Sequence, residues 1–177
     1  RDSAKLNKED KLYSTDELIS LSKECDGILS FPTTIINTET VKKLPKSIKI
    51  ISNYAVGFGN IDTIEASKKG IIVTNTPEVL TDATADISIL LLLGASRRAY
   101  EGRLAAESES WNWSSDYLIG KQMTGKKLGI LGMGRIGRAV AKRAKGFNME
   151  IHYHNRNKLS LELEQGAIYH KNISELF

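Results

Sequence analysis

One cysteine among 177 residues, Cys25, rules out an internal disulfide framework and suits a reducing cytosol. It lies in "CDGILSF", a setting for a buried structural thiol rather than a nucleophile. Long apolar runs are missing too. The longest, "ISILLLLGA" from Ile87 to Ala95, is too short to span a bilayer, so no membrane partner is expected. The opening "RDSAKLNKED" has no apolar core and does not read as a secretory signal; a cytoplasmic location is expected. No single sign of charge dominates. The net charge is +4, with Lys and Arg spread among Asp and Glu, so no nucleic-acid stripe forms. No metal-ligand cluster, internal repeat or low-complexity segment occurs. What is left is an ordinary globular composition, 41% hydrophobic and 26% charged, long enough for one ample domain or two small ones.

Short apolar runs alternate with helical patterns. Ser14 and Glu17 form a Ser-x-x-Glu capping box that opens a helix to about Lys23. Strands are predicted at 27–31, 48–52 and 71–75, with helices at 39–44 and 61–69 between them. That alternation implies a parallel sheet covered on both faces. A long helix follows from Thr81 to about Glu101. It is apolar almost all round at Ile87 to Leu93, so burial on several sides is expected, at a domain junction or a subunit contact. Residues 102–126 read as a polar surface connector carrying Trp111 and Trp113. A second α/β unit begins at Lys127: strand 127–131, a glycine turn, a helix from about Ile136 to Lys145 with Gly146 as its C-cap, and strand 149–154. Ser174 reads as the N-cap of a final helix. Two or three strands in this unit, where a dinucleotide-binding sheet has about six, and a first unit that opens on a helix suggest an interior piece of a longer polypeptide.

The turn reads "GMGRIGRAV", Gly132 to Val140, with glycines at 132, 134 and 137. A lone Gly-x-Gly-x-x-Gly is weak evidence, and such a turn also occurs in other α/β proteins. Here a strand precedes it, a helix follows, and a second strand closes a unit of about 30 residues. In that setting Gly132 permits the tight turn, Gly134 lets the backbone approach a pyrophosphate, and Gly137 lets helix pack on strand. The helix start offers free N–H groups and a positive dipole end, with Arg135 and Ile136 donating from the backbone. The second strand ends "HYHNRNK", so Asn155 and Arg156 stand where an acidic residue would grip a ribose 2′-hydroxyl. A neutral amide beside a guanidinium favours a 2′-phosphate, so NADP(H) is expected over NAD(H), which stays open. The alternative is that Arg156 and Lys158 are solvated loop charges.

Four segments resemble the D-isomer-specific 2-hydroxyacid dehydrogenases, and within them the glyoxylate/hydroxypyruvate reductases. They are "ISNYAVGFGNID" (51–62), "GIIVTNTPEVLTDATADISILLLL" (70–93), "GKKLGILGMGRIGRAVAKRAKGFNMEI" (125–151) and "YHNR" (153–156). "NTPEVLTDATAD" is the most specific and points to the reductase subgroup. Asp86 and Ile87 depart from the family's frequent Glu and His without touching an assigned role.

The resemblance implies an α/β protein of two domains with a cleft between them. A flavodoxin-like substrate domain would span 1–96 and the N-terminal part of a Rossmann dinucleotide-binding domain 97–177, both truncated in this chain. It implies that the backbone N–H groups of Val56 and Gly57 bind the substrate carboxylate and that Leu80 and Thr81 lie beside the nicotinamide. It implies a homodimer through the junction helix and the cofactor domain, joined by the connector with Trp111 and Trp113. The family's catalytic arginine, glutamate and histidine match nothing here and are expected downstream of Phe177; His152, His154 and His170 read as packing or surface residues. The implied reaction is NADPH-dependent reduction of a small 2-keto acid, glyoxylate or hydroxypyruvate, to the D-2-hydroxy acid by hydride transfer. Two rival readings remain: a dinucleotide-sensing corepressor with the same fold, and an NAD-dependent dehydrogenase for another 2-hydroxy acid.

Overall fold

Alternating strand and helix patterns become two separate α/β units, residues 1–79 and 80–177, in a computed structural model that describes residues 4–108 and 114–176. The first unit runs α1 (Thr15–Leu21), β1 (Gly27–Ser30), α2 (Thr38–Lys43), β2 (Ile50–Asn53), α3 (Thr63–Lys68) and β3 (Ile72–Thr74). The capping box is present: the Ser14 side chain accepts from the Glu17 N–H, and the Glu17 carboxylate accepts from the Ser14 N–H. Asn37 and Asp62 cap α2 and α3 in the same way, each accepting from the N–H three residues on.

The sheet order is β1-β2-β3, all parallel, with Ile28 opposite Ile51 and Ile51 opposite Val73. Consecutive strands joined by right-handed crossovers place every crossover helix on the same face. Val41 of α2 and Ala66 of α3 therefore share one core with Ile51, Ile36, Ile61 and Ile71. The expectation of a sheet covered on both faces is corrected here. Leu29, Ile50 and Ile72, which alternate with the core positions, are exposed.

The second unit contains α4 (Thr81–Ser96), α5 (Ala99–Glu107), β4 (Lys127–Leu131), α6 (Arg135–Ala144), β5 (Glu150–His154), α7 (Leu161–Glu164) and β6 (Ile168–Tyr169). Its sheet is also sequential and parallel, β4-β5-β6. The core gathers Met123, Met133, Met149, Ile151, Tyr153 and, from α6, Ala141 and Ala144, with Ile89, Leu92 and Leu93 of α4 packed against it. Helix α4 thus belongs with the second unit, and the division falls at 79/80 rather than after residue 96.

Five local expectations change. The single helix over 81–101 is two helices, broken at Arg98, which adopts left-handed φ +53°. The returning chain docks on the end of α4: Lys121 N–H donates to the Ser96 carbonyl at 2.6 Å, and a Cβ at Gly120 would lie 2.5 Å from that same oxygen. The chain stays helical to Glu107, so the connector is shorter than 102–126; Trp111 and Trp113 lie outside the described residues. Gly146 does not cap α6; a 3-10 turn over Lys145–Phe147 follows, and Asn148 takes the left-handed position. Ser174 lies inside a 3-10 turn, Ile173–Glu175, that starts after Asn172. Burial of α4 on several sides does not occur within the chain, because Ile87, Leu90 and Leu91 are exposed while the opposite side packs on the core. No helix among the described residues is long and apolar enough to cross a membrane.

Candidate functional site

Three glycines in the 132–137 turn answer three different demands. Gly132 leaves β4 at φ +97°, a region that side chains rarely adopt, while its N–H donates to the His154 carbonyl and prolongs the ladder to β5. Gly134 is the N-cap of α6 with no side-chain capping bond, and nothing lies within 4 Å of where its Cβ would stand. Gly137 has the reverse surroundings: a Cβ there would meet the Gly132 carbonyl oxygen at 2.4 Å and Ile130 at 3.2 Å. Open space at 134 and intimate contact at 137 make a cradle on the outer side and a tight strand–helix joint on the inner side. The Ile136 and Gly137 N–H groups make no hydrogen bond among the described residues. Arg135 is the exposed first residue of α6. Open backbone with free donors at a helix start fits a pyrophosphate.

Asn155 and Arg156 directly follow β5. The Asn155 side-chain oxygen Oδ1 accepts from the Met133 N–H at 2.7 Å, so this side chain braces the glycine turn. Arg156 is exposed and makes no ion pair among the described residues. The loop that carries both is pinned from below. Buried Tyr153 donates to the Glu164 carboxylate at 2.6 Å and accepts from the Leu159 N–H at 3.0 Å; burial, then that carboxylate, pushes its phenol pKa up. Sequence reasoning missed this pair, since a Glu in a short amphipathic stretch carries no sign that it will be buried.

Leu80 and Thr81 stand at the N-terminus of α4. This end is tied to α6 by Arg143, whose Nε donates to Asp86 at 2.6 Å and whose Nη2 donates to Asp82 at 3.0 Å. Asp86 thus has a structural partner that its place in the motif did not reveal.

Val56 and Gly57 lie in the first unit, on the loop between β2 and α3. Neither N–H makes a hydrogen bond among the described residues, and no atom lies within 4 Å of a Cβ built on Gly57. The structure places the remaining expected residues, Gly132 to Gly137, Leu80, Thr81, Asn155 and Arg156, in the second unit.

The three histidines are engaged with one another. His152 Nδ1 is 2.8 Å from His170 Nε2, its Nε2 is 2.5 Å from Glu150, and His154 Nδ1 is 2.9 Å from the His170 carbonyl. That contact with His152, then the nearby Lys127, holds the Glu150 carboxyl below its usual range. No group of three or more His, Cys, Asp or Glu among the described residues could hold a metal ion.

Residues 5–164 match the family model for the D-isomer specific 2-hydroxyacid dehydrogenase catalytic domain. A glyoxylate reductase of Pyrococcus horikoshii is 43% identical over 155 residues, 85% of this chain and 46% of the relative. A glycerate dehydrogenase of Hyphomicrobium methylovorum is 39% identical over 171 residues, 95% of this chain and 53% of the relative. Among solved structures, a glyoxylate reductase from Paecilomyes thermophila superposes with a TM-score of 0.82 at 38% identity, covering 93% of this chain and 52% of that one. The chain spans about half the length of the relatives it matches.

Proposed function

This chain belongs to the D-isomer specific 2-hydroxyacid dehydrogenase family, and on that premise we propose that the full-length protein is an NADPH-dependent reductase of a small 2-keto acid. Glyoxylate or hydroxypyruvate is reduced to the D-2-hydroxy acid: keto acid, NADPH and one proton give hydroxy acid and NADP+. The observation that carries the cofactor half is the open backbone at Gly134 beside the uncapped start of α6. Gly132 makes the turn, and Gly134, Arg135, Ile136 and Gly137 hold the pyrophosphate through backbone N–H groups and the helix dipole. Bound NADPH supplies a hydride from its nicotinamide ring. Arg156 pairs with the 2′-phosphate on the ribose, and the Asn155 NH2 group lies beside it. Leu80 and Thr81 flank the nicotinamide, and Arg143 sets the end of α4 that bears them. The N–H groups of Val56 and Gly57 take the substrate carboxylate. None of the chain's three histidines donates the proton in this reading. The substrate class is supported by relatives named glyoxylate reductase and glycerate dehydrogenase.

The exposed stripe of Ile87, Leu90 and Leu91 on α4 supports a homodimer through that helix. A cytoplasmic location goes with the single cysteine.

Arg156→Asp in the full-length protein tests the cofactor choice. A guanidinium–phosphate bond is a charge-assisted hydrogen bond, so kcat/KM with NADPH should fall about tenfold to a hundredfold while NADH is used as well or better. An unchanged preference for NADPH would falsify the assignment of Arg156, and no saturable NADPH binding by the unaltered protein would remove the cofactor reading.

A further inference from the structure

Three consecutive carbonyls in the β2–α3 loop are each held by a donor. The Ala55 carbonyl accepts from the Thr76 N–H at 2.9 Å. The Val56 carbonyl accepts from Asn75 Nδ2 at 2.8 Å, and the Gly57 carbonyl from Asn53 Nδ2 at 2.8 Å. Every peptide here is trans, so each N–H points opposite to the carbonyl of its own peptide unit. Fixing those carbonyls therefore fixes the N–H groups of Val56, Gly57 and Phe58 on the other side. None of these three makes a hydrogen bond among the described residues.

We infer that Asn75 and Asn53 are positioning residues that aim a run of three peptide N–H groups, at Val56, Gly57 and Phe58, toward the carboxylate of the keto acid. This inference rests on the substrate reading above and adds Phe58 to the pair of N–H groups given there. Both amides are anchored on rigid elements. Asn53 ends β2 and is 2% exposed; its oxygen accepts from the Ser30 hydroxyl of β1 at 3.0 Å. Asn60 pairs with it amide to amide and also donates to the Phe31 and Thr34 carbonyls. Asn75 directly follows β3. The loop is thus gripped from the ends of two adjacent strands. Its outer side is open: no atom lies within 4 Å of a Cβ at Gly57 or Gly59. A carboxylate accepts several hydrogen bonds at once, and dipoles already aimed need no reorganisation when the anion arrives. An amide side chain suits this role because its NH2 group holds a carbonyl without bringing a charge to an anion seat.

The test uses the full-length protein with Asn75→Ala and Asn75→Asp. The second variant is isosteric and replaces the donor with an acceptor that repels the Val56 carbonyl. Steady-state kinetics with glyoxylate, inhibition by oxamate and direct NADPH binding are measured for both. Expected are a rise in glyoxylate KM and in the oxamate inhibition constant of about tenfold or more, the loss of a charge-assisted hydrogen bond, with kcat and NADPH affinity little changed. A purely structural role would lower kcat and NADPH affinity together with KM effects, and that outcome overturns the inference. Unchanged KM and oxamate constants in both variants also overturn it, while leaving the reductase reading in place. If the unaltered protein turns over no 2-keto acid, the substrate reading fails and this inference fails with it.

Discussion

A methyl group added at position 137 would stand 2.4 Å from a backbone oxygen that cannot move without unseating Gly132. Gly137→Ala should therefore cost about 1–3 kcal/mol in denaturant unfolding, the range for overpacking, and weaken NADPH binding in the full-length protein. The glycine requirement was legible in sequence because it comes from the local backbone: a strand, a bend and a helix start leave little freedom over six residues. Side-chain roles were less legible. Asn155 follows β5 in the place of a ribose contact, but its oxygen is committed to the Met133 N–H 22 positions away. Nothing local distinguishes an amide that binds a ligand from one that braces the loop doing so. Asn53, Asn60 and Asn75 share this difficulty, since each has a partner distant in sequence, at Ser30, Phe31 and Val56 respectively.

At the scale of the element, one cap read from the sequence is formed, at Ser14, and two, at Gly146 and Ser174, are not. Ser14 opens α1 as its capping box requires, and the break between α4 and α5 escaped notice because a distant segment, at Gly120 and Lys121, takes the helix end. Asp62 shows how a cap links an element to pH. The Glu65 N–H, then the Thr38 hydroxyl, hold its carboxyl below the usual aspartate range. A depressed folded-state pKa means the ionised form is favoured by folding. Its stabilisation is present above about pH 4, the ordinary aspartate value, and is lost as pH falls through the lower folded-state value. Asp62→Asn keeps a capping oxygen but does not titrate. Thermal melts of this variant should show a flatter loss of stability below about pH 4 than the unaltered chain; equal slopes would mean that Asp62 has no part in acid unfolding.

Across the whole molecule, two cores divide the work of folding. Ile51 is fully buried at the centre of the first, and Tyr153 at the centre of the second. Ile51→Ala should destabilise the first unit by about 2–5 kcal/mol. Hydrogen exchange should then quicken at β1–β3 while β4–β6 keep their protection; equal quickening in both would show one cooperative unit. The two α/β units and their parallel strands were visible in sequence from the alternation of apolar runs. The boundary at 79/80 was not, because the apolar surface of α4 does not say which core it joins. The distribution of sulfur follows from the same division. All three thioethers, Met123, Met133 and Met149, line the second core, and Met133 lies within the glycine turn itself, while the lone thiol of Cys25 packs against the first. Peroxide converts a thioether into a polar sulfoxide unsuited to an apolar interior. Because all three thioethers are buried, that conversion waits on an opening of the second unit and would then hinder its closing.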